Sequence, residues 1–95
     1  MHVISRKKLK EGAVRHPDVE AALDAWFRIA KHALWQDLTD VRTTFATADA
    51  VESWTVFNIK GNKYRLITEI NYRLRRVYIR HVLTHAQYDR EKWKR

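Results

Sequence analysis

The sequence contains no cysteine, one proline and two glycines, and it has no long apolar run. The lack of cysteine excludes a disulfide framework and cysteine-based zinc sites, and it suits a protein of the cytoplasm. No apolar stretch approaches the roughly 18 residues that a membrane span needs, and residues 1–12 lack the hydrophobic segment of a secretory signal. So few glycines and prolines leave no flexible linker. We therefore expect one cytoplasmic domain, residues 1–95, with no membrane contact.

The spacing of apolar residues predicts helices in the first half of the chain and strands in the second. Residues 2–5 indicate a short strand, residues 6–15 a short helix, and Pro17 the first turn of a longer helix. Residues 37–53 are less regular and indicate one short helix or turn. From Trp54 the apolar period becomes two. These patterns predict an α+β fold in which N-terminal helices pack on one face of a small antiparallel sheet.

Acidic residues are scarce in the last third of the chain, and this scarcity produces its positive charge. The net charge is +8. Residues 1–59 hold eight Lys and Arg against eight Asp and Glu, whereas residues 60–95 hold eleven against three. A surplus confined to one end of a compact domain is typical of a surface that binds a polyanion, most often nucleic acid. A generally basic surface that serves solubility is the plainer alternative.

Gly61-Asn62 separates two alternating segments, 54–60 and 63–72, and predicts a β-hairpin. A second turn near Arg73-Leu74 extends the register, so that Thr68 lies opposite Ile79 and Ile67 opposite Arg80. Alternation then assigns to the helix-packed face Phe57, Ile59, Tyr64, Leu66, Ile70, Val77 and Ile79. It assigns to the other face Asn58, Lys63, Arg65, Ile67, Glu69, Tyr78 and Arg80.

The second face concentrates positive charge on neighbouring strands. A single Glu69 cannot neutralise Lys63, Arg65 and Arg80, and like charges this close oppose folding unless an anion relieves them. This favours an anion-binding face. A solvated face with an ion pair between Glu69 and Arg80 or Arg76 is the alternative.

Other polar residues are predicted to lie outside this face. His81 falls on the core-facing side of the register and is predicted to be a packing residue. The histidines of the neutral segment are predicted on the surface: His2, His16 and His32. No recognised metal-ligand spacing connects the carboxylates of 37–53, so we predict no metal site and no cofactor from Asp37, Asp40, Asp49 and Glu52.

Two motifs, FNIKGNKYRLI (57–67) and VLTHAQYD (82–89), resemble those of the HigB toxins, within the RelE-like mRNA-cleaving toxins of type II toxin–antitoxin systems. The resemblance covers nearly the whole chain, with support from ISRKKLKE (4–11) and the Trp-bearing helix. It implies an antiparallel sheet that is open on one side and backed by N-terminal helices. It also implies cleavage of mRNA, commonly on the translating ribosome, and inhibition by a cognate helix-turn-helix antitoxin of the HigA kind.

The resemblance also implies functional residues. Basic side chains on the sheet and a His, Arg or Tyr near the C-terminus serve the wider group, and motif position assigns catalysis here to Lys63, Arg65, His85 and Tyr88. Strand geometry adds Arg80 and Asn58 as RNA contacts. The full set of predicted RNA-binding residues is Asn58, Lys60, Arg76, Tyr78 and Arg80.

RNA can be cleaved without a metal when its own 2′-OH attacks the adjacent phosphorus. The reaction needs a base for the 2′-OH proton, cations for the phosphoryl oxygens and an acid for the leaving 5′-oxygen. His85 suits general acid or general base, and the planar Arg65 fork can hold two phosphoryl oxygens. Lys63 would add charge stabilisation, and Tyr88 would stack on a base or orient the 2′-OH.

Two other functions fit the same residues. One is an RNA- or ribosome-binding module that does not cleave, which only a cleavage assay distinguishes from the nuclease. The other is a protein-interaction domain whose basic surface meets an acidic partner. A weak salt dependence of RNA binding would favour that last function, because neutralised phosphates give a steep slope.

Overall fold

The computed structural model describes residues 1–94. Its four helices are α1 (Arg6–Arg15), α2 (Glu20–His32), α3 (Leu38–Thr44) and α4 (His85–Asp89). The strands are β1 (His2–Ile4), β2 (Asp49–Val51), β3 (Trp54–Ile59), β4 (Tyr64–Asn71) and β5 (Arg76–Thr84). Single 3-10 turns lie at Pro17–Val19 and Lys92–Lys94. The α+β class is therefore confirmed.

The helices follow the predicted apolar spacing, with one change at the start of the long helix. Pro17 begins a 3-10 turn, and α2 starts only at Glu20. Its buried residues are Leu23, Trp26 and Ala30, one helical face. Within residues 1–94, no helix has both the length and the apolar character required to cross a membrane.

The five strands form one sheet in the order β1-β5-β4-β3-β2. The strand pairs from β2 to β5 are antiparallel, whereas β1 runs parallel to β5. The predicted β3–β4 register is confirmed from Ile59 opposite Tyr64 to Val56 opposite Ile67. Gly61 has a φ of 65° in the connecting turn, a left-handed conformation that suits glycine.

The predicted β4–β5 register holds only on one side of an irregularity. Thr68 lies opposite Ile79 as predicted, but Ile67 lies opposite His81, so the predicted pairing of Ile67 with Arg80 is wrong. Arg80 is the extra residue of a β-bulge, in which two residues of one strand oppose one of its partner. The short strand β2 was also missed, because three residues are too few to show alternation.

The main core lies between the helices and the predicted apolar sheet face. Its buried members include Leu23, Trp26, Phe57, Leu66 and Ile79. Helix α1 crosses β5 closely at Gly12, where an added Cβ would lie 2.8 Å from the Cβ of Val82. A second, smaller cluster forms on the other side of the sheet from Val56, Ile67 and Trp93. We call that side of the sheet the open face. Trp93 covers Val56 and Ile67 near its centre.

Candidate nuclease site on the open face

Arg65 lies on the open face near the β3–β4 turn and is only 8% exposed as a residue. Nη1 donates to the backbone oxygens of Asn62 and Tyr64 at 3.0 and 3.2 Å, and Nη2 donates to Oδ1 of Asn62 at 2.6 Å. Since a guanidinium carries five N–H groups, Nε–H and one Nη2–H have no partner among residues 1–94. The β3–β4 turn therefore fixes the guanidinium and leaves donors for an anion.

Tyr88, on α4, is brought against Arg65. The Arg65 guanidinium carbon lies 5.4 Å from the centre of the Tyr88 ring, within the range of a cation–π contact. The same ring stacks on Trp93, with ring centres 5.3 Å apart and planes inclined by 14°. Its hydroxyl has no hydrogen-bond partner in the described part of the chain. Arg65 and Trp93 therefore hold the Tyr88 ring, and its hydroxyl is left without a partner among residues 1–94.

His85 begins the same helix and is oriented by Asp89. Helix α4 starts with a capping box in which the Thr84 side chain accepts from the Gln87 N–H and the Gln87 side chain accepts from the Thr84 N–H. Nδ1 of His85 lies 2.8 Å from Oδ2 of Asp89, one turn further on. This contact occupies Nδ1 and leaves Nε2 without a hydrogen-bond partner in the described part of the chain.

Asp89 was not among the predicted site residues. The signal for it was its position four residues after His85, the spacing at which helical side chains meet. Asn58, by contrast, lies where the register predicted, directly opposite Arg65 on β3. Asn58, Arg65 and Tyr88 thus lie together, and α4 adds His85 with Asp89.

Lys60 and Lys63 point instead toward the 3-10 turn before α2. Lys63 Nζ lies 2.6 Å and Lys60 Nζ 3.2 Å from Oδ2 of Asp18, and the Tyr64 hydroxyl donates to Oδ1 of Asp18 at 2.7 Å. Hydrogen bonds from Lys63, Tyr64 and Lys60 hold the pKa of Asp18 below its ordinary value. Asp18 in turn raises the pKa values of Lys63 and Tyr64.

The prediction that Lys63 shares a face with Arg65 is therefore wrong. Lys63 belongs to the turn rather than to β4, so strand alternation does not apply to it. Its backbone still contacts the site, because the Lys63 oxygen accepts the His85 N–H at 3.1 Å. Its predicted part in catalysis, and the predicted RNA contact of Lys60, stay predictions.

The remaining predicted RNA contacts form a second basic group farther along β5. Arg80 Nε donates to Oε1 of Glu69 at 2.8 Å, which is one of the ion pairs considered from the sequence. The Arg80 guanidinium carbon lies 5.2 Å from the centre of the Tyr78 ring, and Arg76 Nη1 lies 3.5 Å from the Tyr78 hydroxyl. Arg80 is three positions from Leu83, the partner of Arg65, and therefore lies about 10 Å from Arg65, whereas Arg76 lies about 20 Å away.

His81 belongs to this open face, so its predicted core-facing position is wrong. The bulge at Arg80 shifts the alternation by one residue and places His81 opposite Ile67. Burial lowers the pKa of His81, as do the nearby charges of Lys8 and Arg80, while the Trp93 backbone acts in the opposite direction. No local sequence pattern indicates the bulge, so the position of His81 could not be predicted from alternation.

Three of the four carboxylates of 37–53 considered as metal ligands have structural contacts: Asp37, Asp40 and Asp49. Asp37 caps α3 by accepting the Asp40 N–H at 3.0 Å. Asp40 accepts the Gln36 N–H, and Asp49 pairs with Arg42 at 3.1 Å. In the described residues 1–94, no three His, Cys, Asp or Glu side chains are grouped to hold a metal ion.

The chain thus folds as a helix-backed sheet with basic residues and a tyrosine on its open face and a His–Asp pair on α4, the architecture of a small RelE-like toxin. The family model described as HigB_toxin, the RelE-like toxic component of a toxin–antitoxin system, matches residues 19–91. The chain belongs to this family.

Two curated relatives match over nearly their whole length. The mRNA interferase HigB of Escherichia coli O6:H1, strain CFT073, is 31% identical over 93 residues, covering 95% of this chain and 90% of the relative. The mRNA interferase toxin HigB of Escherichia coli K12 is 28% identical over 92 residues, covering 94% and 88% respectively. The membership of the HigB toxin family that the two sequence motifs predict is therefore confirmed.

Proposed function

We propose that this toxin is an endoribonuclease that cleaves mRNA through attack of the 2′-OH on the adjacent phosphorus. The observation that carries the proposal is the assembly of Arg65, Tyr88 and the His85–Asp89 pair at one end of a basic face. The mRNA interferase names of the relatives support this activity. The proposal gives no step to a metal: Arg65 supplies a cation to the phosphoryl oxygens, and His85 supplies one of the two proton transfers.

The reaction forms a bond from the 2′-oxygen to phosphorus and breaks the bond from phosphorus to the 5′-oxygen. The 2′-OH proton goes to a base, and the departing 5′-oxygen receives a proton from an acid. Nε2 of His85 performs one of these transfers, with Asp89 holding the ring through Nδ1. The free Arg65 donors face the charge that grows on the phosphoryl oxygens, and the Tyr88 hydroxyl orients the 2′-OH.

The second basic group extends the surface for the same RNA strand. Arg80, about 10 Å from Arg65, would contact a phosphate near the cleaved one, and Arg76, about 20 Å from Arg65, would contact one farther along the strand, with Tyr78 available to a base. The positive surplus of residues 60–95 also suits an encounter with ribosomal RNA. We therefore place cleavage on mRNA that is being translated, and we expect a HigA-like helix-turn-helix antitoxin to inhibit it.

The test compares one end-labelled mRNA, free and on programmed ribosomes, with wild type, His85→Gln and His32→Gln. Free RNA is assayed both with EDTA and with Mg²⁺. His32 lies exposed at the end of α2 and serves as the matched histidine control. We expect wild type and His32→Gln to cleave. Any cleavage of free RNA should persist in EDTA. His85→Gln should lose about 10²–10⁴ in rate, the contribution of a positioned acid or base.

Other outcomes would contradict specific parts of the proposal. Intact RNA in every lane, together with tight and salt-sensitive binding, would replace the nuclease by the non-cleaving RNA-binding module. If His85→Gln cleaved at the wild-type rate, His85 would have no part in catalysis. Cleavage of free RNA as fast as that of ribosome-bound RNA would contradict the placement of cleavage on translated mRNA.

A further inference from the structure

The 3-10 turn at Lys92–Lys94 places an indole on the open face. Trp93 is 7% exposed and forms a small cluster with Val56 and Ile67, separate from the main core. The edge of its ring meets Trp54, with ring centres 5.1 Å apart and planes inclined by 73°. This burial anchors the segment after α4 to strands β3 and β4.

The same indole contacts α4 through two independent interactions. Its ring is nearly parallel to that of Tyr88, and its Nε1–H donates to the Tyr88 backbone oxygen at 2.9 Å. Helix α4 has only five residues and buries none of them. A helix this short is not stable by itself, so contacts outside it must fix its direction.

We propose that Trp93 is a positioning residue for the nuclease site. Its indole holds Tyr88 against Arg65 and thereby fixes the His85–Asp89 pair carried by the same helix. This inference rests on the proposed function, which it deepens by adding a residue outside both predicted catalytic motifs.

Two features separate positioning from simple stabilisation. The capping box at Thr84 and the contact of His85 with the Lys63 oxygen would keep α4 formed without the indole. Without the indole, however, the Tyr88 ring would contact Arg65 but no longer Trp93, so its orientation would be less well fixed. Since displacement of a reacting group by about 1 Å can cost 10²-fold in rate, the effect should appear in kcat.

The experiment compares wild type with Trp93→Leu and Trp93→Phe in the full chain. Leucine retains apolar volume but removes stacking and the N–H donor, whereas phenylalanine retains an aromatic ring. Trp35→Phe is the control, because Trp35 is a 4% exposed indole in the main core, stacked on Phe57. Each variant is assayed for its thermal midpoint, for kcat and KM on RNA, and for the NMR shifts of the Tyr88 ring without RNA.

We expect Trp93→Leu to lower kcat by about tenfold to a hundredfold with KM changed less than about threefold. Its Tyr88 ring signals should lose the shift caused by the stacked indole, and Trp93→Phe should recover most of the activity. Trp35→Phe should lower the thermal midpoint without changing kcat of the folded protein. A folded Trp93→Leu with wild-type kcat would overturn the proposal.

The NMR measurement distinguishes failure of this inference from failure of the proposed function. If wild type cleaves no RNA, the nuclease proposal fails, yet the Tyr88 signals still report whether Trp93 sets the ring. Unchanged Tyr88 signals in a folded Trp93→Leu would overturn the positioning role whatever the activity.

Discussion

Replacing Arg65 by lysine tests the central cation of the site. Lysine retains the positive charge but offers one ammonium group in place of a planar fork. In the wild type, three Arg65 N–H groups are bound to Asn62 and Tyr64, and two have no partner among residues 1–94. A lysine ammonium cannot keep the turn contacts and also hold two phosphoryl oxygens. The substitution therefore separates charge from geometry.

The structure sets the size of both expected effects. Loss of one preorganised donor to a developing oxyanion costs about 10²–10³ in kcat, so Arg65→Lys should lose at least that factor. Weakening the bond to Asn62 Oδ1 should lower the free energy of unfolding by about 1.5–3 kcal/mol, as for other hydrogen bonds to a charged group. Against a typical stability of about 5–15 kcal/mol, the variant remains folded.

Single-turnover cleavage of end-labelled mRNA, alongside urea unfolding, measures the two effects separately. Asn62→Ala is the matched control, because it removes the same 2.6 Å bond from the partner's side and leaves every Arg65 donor in place. We expect a comparable loss of stability in Asn62→Ala, with cleavage reduced less than about tenfold. If Arg65→Lys cleaved within about threefold of the wild-type rate, the proposed binding of two phosphoryl oxygens by the planar guanidinium would be refuted.

Two further predictions concern stability. Asp18→Asn should lower the thermal midpoint near neutral pH, because the folded-state pKa of Asp18 is depressed. The difference from wild type should fade as the pH falls below 3.8, the ordinary pKa of the carboxyl, and through the lower folded-state pKa. An equal difference at all pH values would contradict a stabilising role of the ionised Asp18. Gly12→Ala should destabilise by about 1–3 kcal/mol through overlap with Val82, measured by urea unfolding. Pairing it with Val82→Ala should recover part of that loss, and purely additive effects would contradict the overlap.

Regular segments of the fold could be predicted from the sequence because local pattern determines them. Alternation from Trp54, interrupted by Gly61-Asn62, specified the β3–β4 register and therefore put Asn58 opposite Arg65. The three-residue spacing of His85 and Tyr88 likewise placed both on one short helix. In each case the residues that decide the geometry are neighbours along the chain.

The bulge and the lysine contacts could not be predicted in the same way. A one-residue insertion at Arg80 changes no local pattern, yet it moves His81 to the opposite side of the sheet. Lys63 turns away from Arg65 because Asp18, 45 positions earlier, is brought next to it by the tertiary fold. Contacts of this kind depend on how distant elements pack, which periodicity does not report.

The parallel pairing of β1 with β5 has a consequence for the order of folding. His2 pairs with Arg76, so the first strand acquires its partner only after most of the chain has been synthesised. At about 5–20 residues per second, that delay is roughly 4–15 s. The helix with His85 and Tyr88 is made later still. A nascent chain that stops before residue 76 thus lacks both the pairing of β1 with β5 and the proposed proton-transfer group, and the ribosome producing it faces no assembled nuclease.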